Sequence, residues 1–286
     1  MSLFEVPDGS STCVACADGG GAYTAFERDC SQLCARPRSL VTGLPAPSPH
    51  APRVIDTTSS PIEVAPPRTA VRRGRGADLL ERLGILGFLG IFGLVRARRS
   101  DAIDLAVTMK VQRWSNPWLG PVMAAISWPG FPPQSRLIPP AAVACLFLAR
   151  LPLEALAMIG AWGTALVATV VKSLMRRPRP AAGVDIRVIA APLGGSSFPS
   201  GHTITYVGVY GFLAYLAHTL IRPTWLRRLV VAPLVGLVAL VGPSRVYQGH
   251  HWFTDVTASY LLGIGYLLGL TRLYRQWKAR GTGERP

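Results

Sequence analysis

Apolar residues in this chain fall in long unbroken runs rather than in alternating or one-sided patterns, and the runs begin only after residue 79. Residues 151–171 form a 21-residue run broken only by Pro152 and Glu154 near its start, and 202–221 and 256–274 are similar in length. At ~1.5 Å per residue, each crosses a ~30 Å hydrocarbon layer as a helix. Three shorter runs, 83–95, 137–149 and 229–242, fit buried or interfacial helices as well as spans extended by flanking residues. The pattern predicts an all-α polytopic membrane protein with about six transmembrane helices in a bundle. Between the first two runs, residues 101–114 and 117–131 read as amphipathic or interfacial pieces, with Trp114, Trp118 and Trp128 as headgroup anchors.

Upstream the texture is different. Residues 35–77 are rich in Pro, Ser, Thr and Arg without apolar periodicity, so they bury too little surface to offset chain entropy. The expected organisation is a disordered N-terminal tail over 1–76, a membrane domain over 77–280 and a flexible C-terminus over 281–286. The first forty residues lack an apolar core behind a basic start, so insertion is expected to rest on the internal spans. Cys13, Cys16, Cys30 and Cys34 have a spacing that four thiolates around zinc would require. The thirteen residues between the pairs offer little to build a knuckle on, and incidental cysteines in a tail are the favoured reading. No metal or cofactor is assigned. Cys145 lies in an apolar run and reads as inert packing.

Charge sharpens the division. The chain has a net charge of +15, with 49% hydrophobic and only 16% charged residues. Residues 1–76 have a net charge of only +1, so the basic part of the chain is also the apolar part. Its arginines fall between apolar runs instead of along one soluble face, which speaks against a nucleic-acid partner and for anionic lipid or an anionic substrate. With the N-terminus in the cytoplasm, residues 72–75, Arg150, 222–228 and 272–280 place their cations inside, as the positive-inside bias expects. Residues 96–99, RARR, disagree with it. Six spans also put the 172–202 and 243–255 loops on one membrane face.

Those two loops hold the chemistry. The third run ends in KSLMRRPRP, which contains Lys172, Arg179 and Pro180; SSFPSGHT then supplies Pro199, Ser200, Gly201 and His202 at the mouth of the fourth span. SRVYQGHHWFTD brings Ser244, Arg245, His251 and Asp255 to the sixth. Lys172, Arg179 and Arg245 suit phosphate oxygens, one as a point charge and two as planar forks. Gly201 admits close backbone approach, and a helix starting near His202 offers free N–H groups and a positive dipole end. His251 and Asp255 are four residues apart, so in a helix they share a face. The carboxylate then accepts the proton of one ring nitrogen and leaves the other as a nucleophile. His202 is the candidate acid for the leaving oxygen and base for the water that follows. Taken singly, each piece has an ordinary reading: a membrane-flanking basic cluster, a capped turn, interface anchors.

Together the patterns K-x6-R-P, P-S-G-H and S-R-x5-H-x3-D resemble the signature of the type 2 phosphatidic acid phosphatase superfamily, matched at all eleven positions over a region of roughly 79–274. The resemblance implies a six-helix membrane core and metal-independent hydrolysis through a phosphohistidine on His251. It also implies phosphate ligation by Ser200 and the Gly201 backbone alongside Lys172, Arg179 and Arg245, and an extracytoplasmic site. The implied partners are the bilayer and a lipid phosphate or polyprenyl (pyro)phosphate. A transporter would need the cations but not a paired nucleophile and acid. The soluble vanadate haloperoxidases of the same fold family do not fit a lipid-embedded chain.

Overall fold

The computed structural model describes residues 67–281 apart from 115, 182–185 and 189–193, with side chains from 76 to 280, and in addition residues 4–5 and 11–12. The chain divides into two compact units, Met1–Glu63 and Val64–Pro286. In the first, Phe4 pairs with Thr12 and Glu5 with Ser11 in a two-residue antiparallel ladder. The four tail cysteines, and the expected disorder of the rest of the tail, lie outside the described residues, as do residues 282–286 of the C-terminus.

The second unit is helical throughout its regular structure. Its elements are α1 (Pro67–Arg96), α2 (Asp101–Gln112), α3 (Leu119–Ser127), a single 3₁₀ turn (Trp128–Gly130), α4 (Gln134–Leu148), α5 (Pro152–Trp162), α6 (Thr164–Leu174), α7 (Gly201–Leu220), α8 (Thr224–Tyr247) and α9 (Phe253–Gly281). Each of the six predicted runs is helical. The structure differs at the start, where α1 begins at Pro67, inside the stretch expected to be tail. Proline is well placed at a first helical position, and the Arg- and Ala-containing segment behind it favours helix.

Three segments are long and apolar enough to cross a membrane: Pro152–Leu174, which joins α5 and α6 through Gly163, then α8, then α9. The helix α4 is a shorter apolar one. The helix α7 is long enough, at 20 residues, but carries His, Thr, Tyr and Gly. Its position accounts for this, because it packs against α5, α6, α8 and α9 and buries Ile204, Tyr206, Val209, Phe212 and Leu216. Protein, not lipid, surrounds it, and it can afford polar atoms that find protein partners. The lipid-facing burden falls on outer helices, which expose Leu86 and Leu89 of α1, Leu148 of α4, Leu166 of α6 and Leu229 of α8.

Two clusters hold the bundle. The larger joins Met158 and Ala161 of α5, Tyr206, Val209 and Phe212 of α7, Val241 of α8 and Tyr274 of α9. The smaller places Phe198, just ahead of α7, against Phe88 and Phe92 of α1, at ring separations of 6.1 and 5.9 Å. The C-terminal ends of α1, α6 and α8 and the first turns of α4, α7 and α9 come to one end of the bundle, where they line the same cavities or bond one another. Arg150, Arg222, Arg227, Arg228 and the end of α9 come to the other.

At that other end Glu154 is buried. Its Oε1 accepts hydrogen bonds from Tyr274 Oη at 2.8 Å and Lys278 Nζ at 2.7 Å, tying α5 to α9. Tyr274→Phe removes one of these bonds and is expected to lower stability by ~1 kcal/mol without changing turnover, as measured by thermal unfolding and phosphate release in detergent.

Candidate active site

The segment just before α7 is the hub of the site, because its peptide carbonyls orient three of the predicted side chains. Ser196 O accepts from Lys172 Nζ at 2.8 Å and from Arg179 Nη2 at 3.3 Å. Ser197 O stands 2.8 Å from His251 Nδ1. Since a carbonyl can only accept, Nδ1 carries the ring proton and Nε2 keeps its lone pair. Nε2 faces Arg179 Nη1 at 3.1 Å, and the same Nη1 donates to His250 O at 2.8 Å. The segment is held from behind by the Phe198 stack and by Ser197 N, which donates to Arg177 O at 2.9 Å.

Ser200 caps α7. Its Oγ accepts from Thr203 N at 3.5 Å and Thr203 Oγ1 at 3.0 Å, which leaves its own proton free to point elsewhere. Gly201 opens the helix, so the first-turn N–H groups and the positive end of the helix dipole face the cavity. His202 follows one residue later, and its Nε2 is buried with no hydrogen-bond partner among the described residues.

Arg245, in the last turn of α8, is fully buried at 0% exposure. Nη1 donates to Gln248 Oε1 at 2.9 Å, whereas Nε and Nη2 have no partner among the described residues. A buried guanidinium with two unsatisfied nitrogens and no carboxylate is costly unless an anion completes it. Ser244, beside it, has a structural part: its Oγ meets Ser127 Oγ at 2.7 Å and fastens α3 to α8. The chain then turns at Gly249, whose φ of +72° favours glycine and where a Cβ would lie 2.4 Å from Arg187 O. That turn sets His250 and His251 facing inward, both 2% exposed.

The expected pairing of His251 with Asp255 takes a different form. His251 precedes α9 instead of lying in it, so its Nδ1 is 3.6 Å from Asp255 Oδ2, longer than its bond to Ser197. Asp255 Oδ2 instead accepts from Trp252 N at 2.9 Å, capping the start of α9. Its Oδ1 accepts from Arg177 Nη1 at 2.7 Å. Arg177 then reaches across with Nη2 to Asp104 Oδ2 at 2.6 Å and to Ser100 Oγ at 3.1 Å. Asp104, 1% exposed, also accepts from Thr254 N at 2.8 Å and Thr254 Oγ1 at 2.7 Å. Burial works against the charge on Arg177, but Asp255 and Asp104 more than offset it and raise its proton affinity.

Sequence reasoning had no spacing argument for Arg177 and missed Asp104, Gly130 and Phe131 altogether. The last two come from the 3₁₀ turn and the residue after it, between α3 and α4. The Phe131 ring meets His202 edge-on at 4.7 Å and lies under the Arg245 guanidinium at 5.0 Å. A Cβ at Gly130 would come within 2.2 Å of His202 Cδ2, so this turn seats the imidazole directly.

These groups surround a cavity of about 470 Å³. Lys172, Arg179, Gly201, His202 and His251 form one end, and Trp162, Ala165, Val209 and Tyr210 the other. The ten residues from Trp162 to Lys172 correspond to ~15 Å along the helix axis, so the cavity runs down between helices toward the apolar layer. Burial first, then the charges of Arg245, Arg179 and Lys172, hold the His251 imidazole well below its usual range. The site therefore combines a neutral imidazole whose Nε2 lone pair meets the Arg179 guanidinium, a second imidazole, three cations and a helix start: equipment for phosphoryl transfer.

Comparison with known proteins agrees. The profile of the PAP2 superfamily matches residues 152–279. Phosphatidylglycerophosphatase B of Bacillus subtilis (strain 168) is 32% identical over 186 residues, covering 63% of this chain and 87% of that one. The crystal structure of the first transmembrane PAP2 type phosphatidylglycerolphosphate phosphatase from Bacillus subtilis matches at a TM-score of 0.60 and 27% identity, over 68% of this chain and 96% of that chain. Bacitracin transport permease protein BcrC of Bacillus licheniformis is 38% identical over 84 residues, 29% of this chain and 34% of its own.

Arg177→Met would leave two buried carboxylates without their shared cation. The expected loss of stability is ~3–5 kcal/mol, measured by thermal unfolding in detergent; a loss no larger than the ~1 kcal/mol of a surface pair would contradict the bridge.

Proposed function

The chain belongs to the PAP2 superfamily and is an integral membrane phosphatase of lipid phosphates, and we propose that it removes the terminal phosphoryl group through a phosphohistidine on His251, without a metal ion. The observation that carries this reading is the fixed tautomer of His251. Nδ1–H is committed to Ser197 O, and Nε2 keeps its lone pair toward Arg179 Nη1 at 3.1 Å, in a cavity that Lys172 and Arg179 also line and within the influence of the Arg245 charge.

In the proposed reaction the non-bridging oxygens lie among Lys172, Arg179, Arg245, the Ser200 hydroxyl and the Gly201 N–H. The phosphate takes over the Arg179 donor that faces Nε2, and the two open nitrogens of Arg245 gain their acceptor. His202 takes up a proton as the anionic phosphate binds beside it; Nε2 attacks phosphorus, the P–O bond to the lipid breaks, and His202 gives that proton to the departing oxygen. His202, now neutral, takes a proton from water as that water attacks phosphorus. The P–N bond breaks, and phosphate leaves with His251 neutral again. Three fixed cations and a helix dipole supply the charge stabilisation that a metal would otherwise provide. Asp255, held by Arg177, fixes the chain around the nucleophile and stabilises positive charge on the ring.

Phosphatidylglycerophosphatase B bears a substrate in its name, and its resemblance over 87% of its length supports a phosphate monoester on a glycerophospholipid as the first candidate. A polyprenyl phosphate or pyrophosphate presents the same reacting group. The cavity between α6 and α7 suits a lipid that approaches sideways from the bilayer. With the arginines of the opposite end in the cytoplasm, the N-terminus lies inside and the site on the extracytoplasmic face.

His251→Ala is expected to abolish phosphate release across a panel of lipid phosphates in detergent, and His202→Ala to slow it ~10²–10⁴-fold; near-normal release by the first variant would remove the nucleophile. The depressed pKa of His251 also has a definite sign. The ring is the base form above its pKa, so lowering that value keeps it competent in mildly acidic solution. In an NMR titration of the purified protein, its ring resonances are expected to hold steady from neutrality down past ~6.5; a midpoint at or above that value would contradict a buried neutral nucleophile.

A further inference from the structure

The positive-inside bias leaves one basic cluster without a reason, the arginines at 96–99, which the fold brings to the active-site end of the bundle. A second cavity, of about 610 Å³, lies there among the end of α1, the start of α2 and the end of α6. Arg96, Arg98 and Arg176 line it, all exposed and without an ion pair among the described residues. Its wall is the buried Arg177, whose guanidinium carbon lies 5.7 Å from the centre of the Trp252 ring. Arg177 is already committed to Asp104 and Asp255, so the exposed three are the cations available to a ligand.

We infer that this cavity is a second lipid site, which takes the phosphodiester headgroup of an anionic glycerophospholipid on the far side of the Arg177 wall from the catalytic histidines. Three features point to a bilayer lipid. The cations ring a concave space, an arrangement suited to a headgroup phosphate. Leu105 and Leu174 line the same cavity and are exposed, which gives the acyl chains an apolar surface beside the cations. Arg98 has a φ of 54°, in the region where β-carbon crowding favours glycine. A glycine would hold the turn more easily, so the arginine's value there lies in its side chain. Asp101, at the rim and 66% exposed, supplies an acceptor for the hydroxyls of a glycerol headgroup, while the arginines outnumber the acids.

The site is independent of turnover, and the experiment keeps the two apart. Full-length wild type, R96Q/R98Q/R176Q, Arg98→Gly and His251→Ala are purified in detergent, and bound phosphatidylglycerol is titrated by native mass spectrometry. Hydrolysis of a short-chain phosphate monoester reports on the catalytic site. Wild type and His251→Ala are expected to bind phosphatidylglycerol alike. The triple variant is expected to bind at least ~10-fold more weakly and to turn over at the wild-type rate. Arg98→Gly, which removes one cation and relaxes the turn, is expected to weaken binding ~3-fold or more with no loss of stability. Equal binding by wild type and both arginine variants would overturn the inference. So would equal binding of phosphatidylcholine, or full displacement of the lipid by inorganic phosphate, since either would mean that the arginines are not reading an anionic lipid headgroup.

Discussion

A single guanidinium, Arg177, sits between two buried carboxylates and donates one nitrogen to each, Nη2 to Asp104 on α2 and Nη1 to Asp255 on α9. Each of the three charges would be expensive alone in a bundle surrounded by lipid, and each is made tolerable by the others. The bridge joins residues 73 and 78 positions apart in the chain, so its geometry exists only when α2, α9 and the end of α6 have all docked. Asp255 in turn caps α9 and borders the ring of His251. The position of the His251 imidazole is therefore an outcome of the whole fold.

The bundle resolves a conflict that every lipid-embedded enzyme faces. Reactive polar groups must lie near the membrane surface, while the backbone carrying them must leave no unsatisfied group in hydrocarbon. The polar helix α7 is enclosed by α5, α6, α8 and α9, and it meets the cavity along one side from Gly201 to Tyr210. The outer helices carry the exposed leucines. The α1 phenylalanines clamp Phe198, so a helix that supplies none of the reacting groups still fixes the loop that orients Lys172, Arg179 and His251.

Local spacing made much of this legible. The six apolar runs marked helices, and the three short motifs marked residues that the fold brings to one end of the bundle, five of them lining one cavity, because helix starts, turns and cationic forks have local signatures. Asp104 reads as one more acid in the first turn of a helix, and Arg177 as one of four cations flanking a membrane. Their significance is a contact over 70 residues away, which no period or spacing encodes. Gly130 and Phe131 lie in a W-P-G-F-P turn that looks interfacial in sequence and becomes the seat of His202 only once α3 and α4 fold over α7. All but Arg177 also lie outside the span matched by the family profile. The His, Thr and Tyr side chains within α7 were an overlooked local clue, since a span that carries polar groups needs protein around it.

The cavity that descends beside α6 and α7 has a consequence for how this enzyme must be measured. A reactant that enters this cavity from a leaflet would travel in two dimensions, so the quantity that saturates the site would be its mole fraction among neighbouring lipids, and not its molarity in the tube. Adding inert detergent at constant total substrate thins that surface and slows the reaction, although no molecule has been removed from the solution.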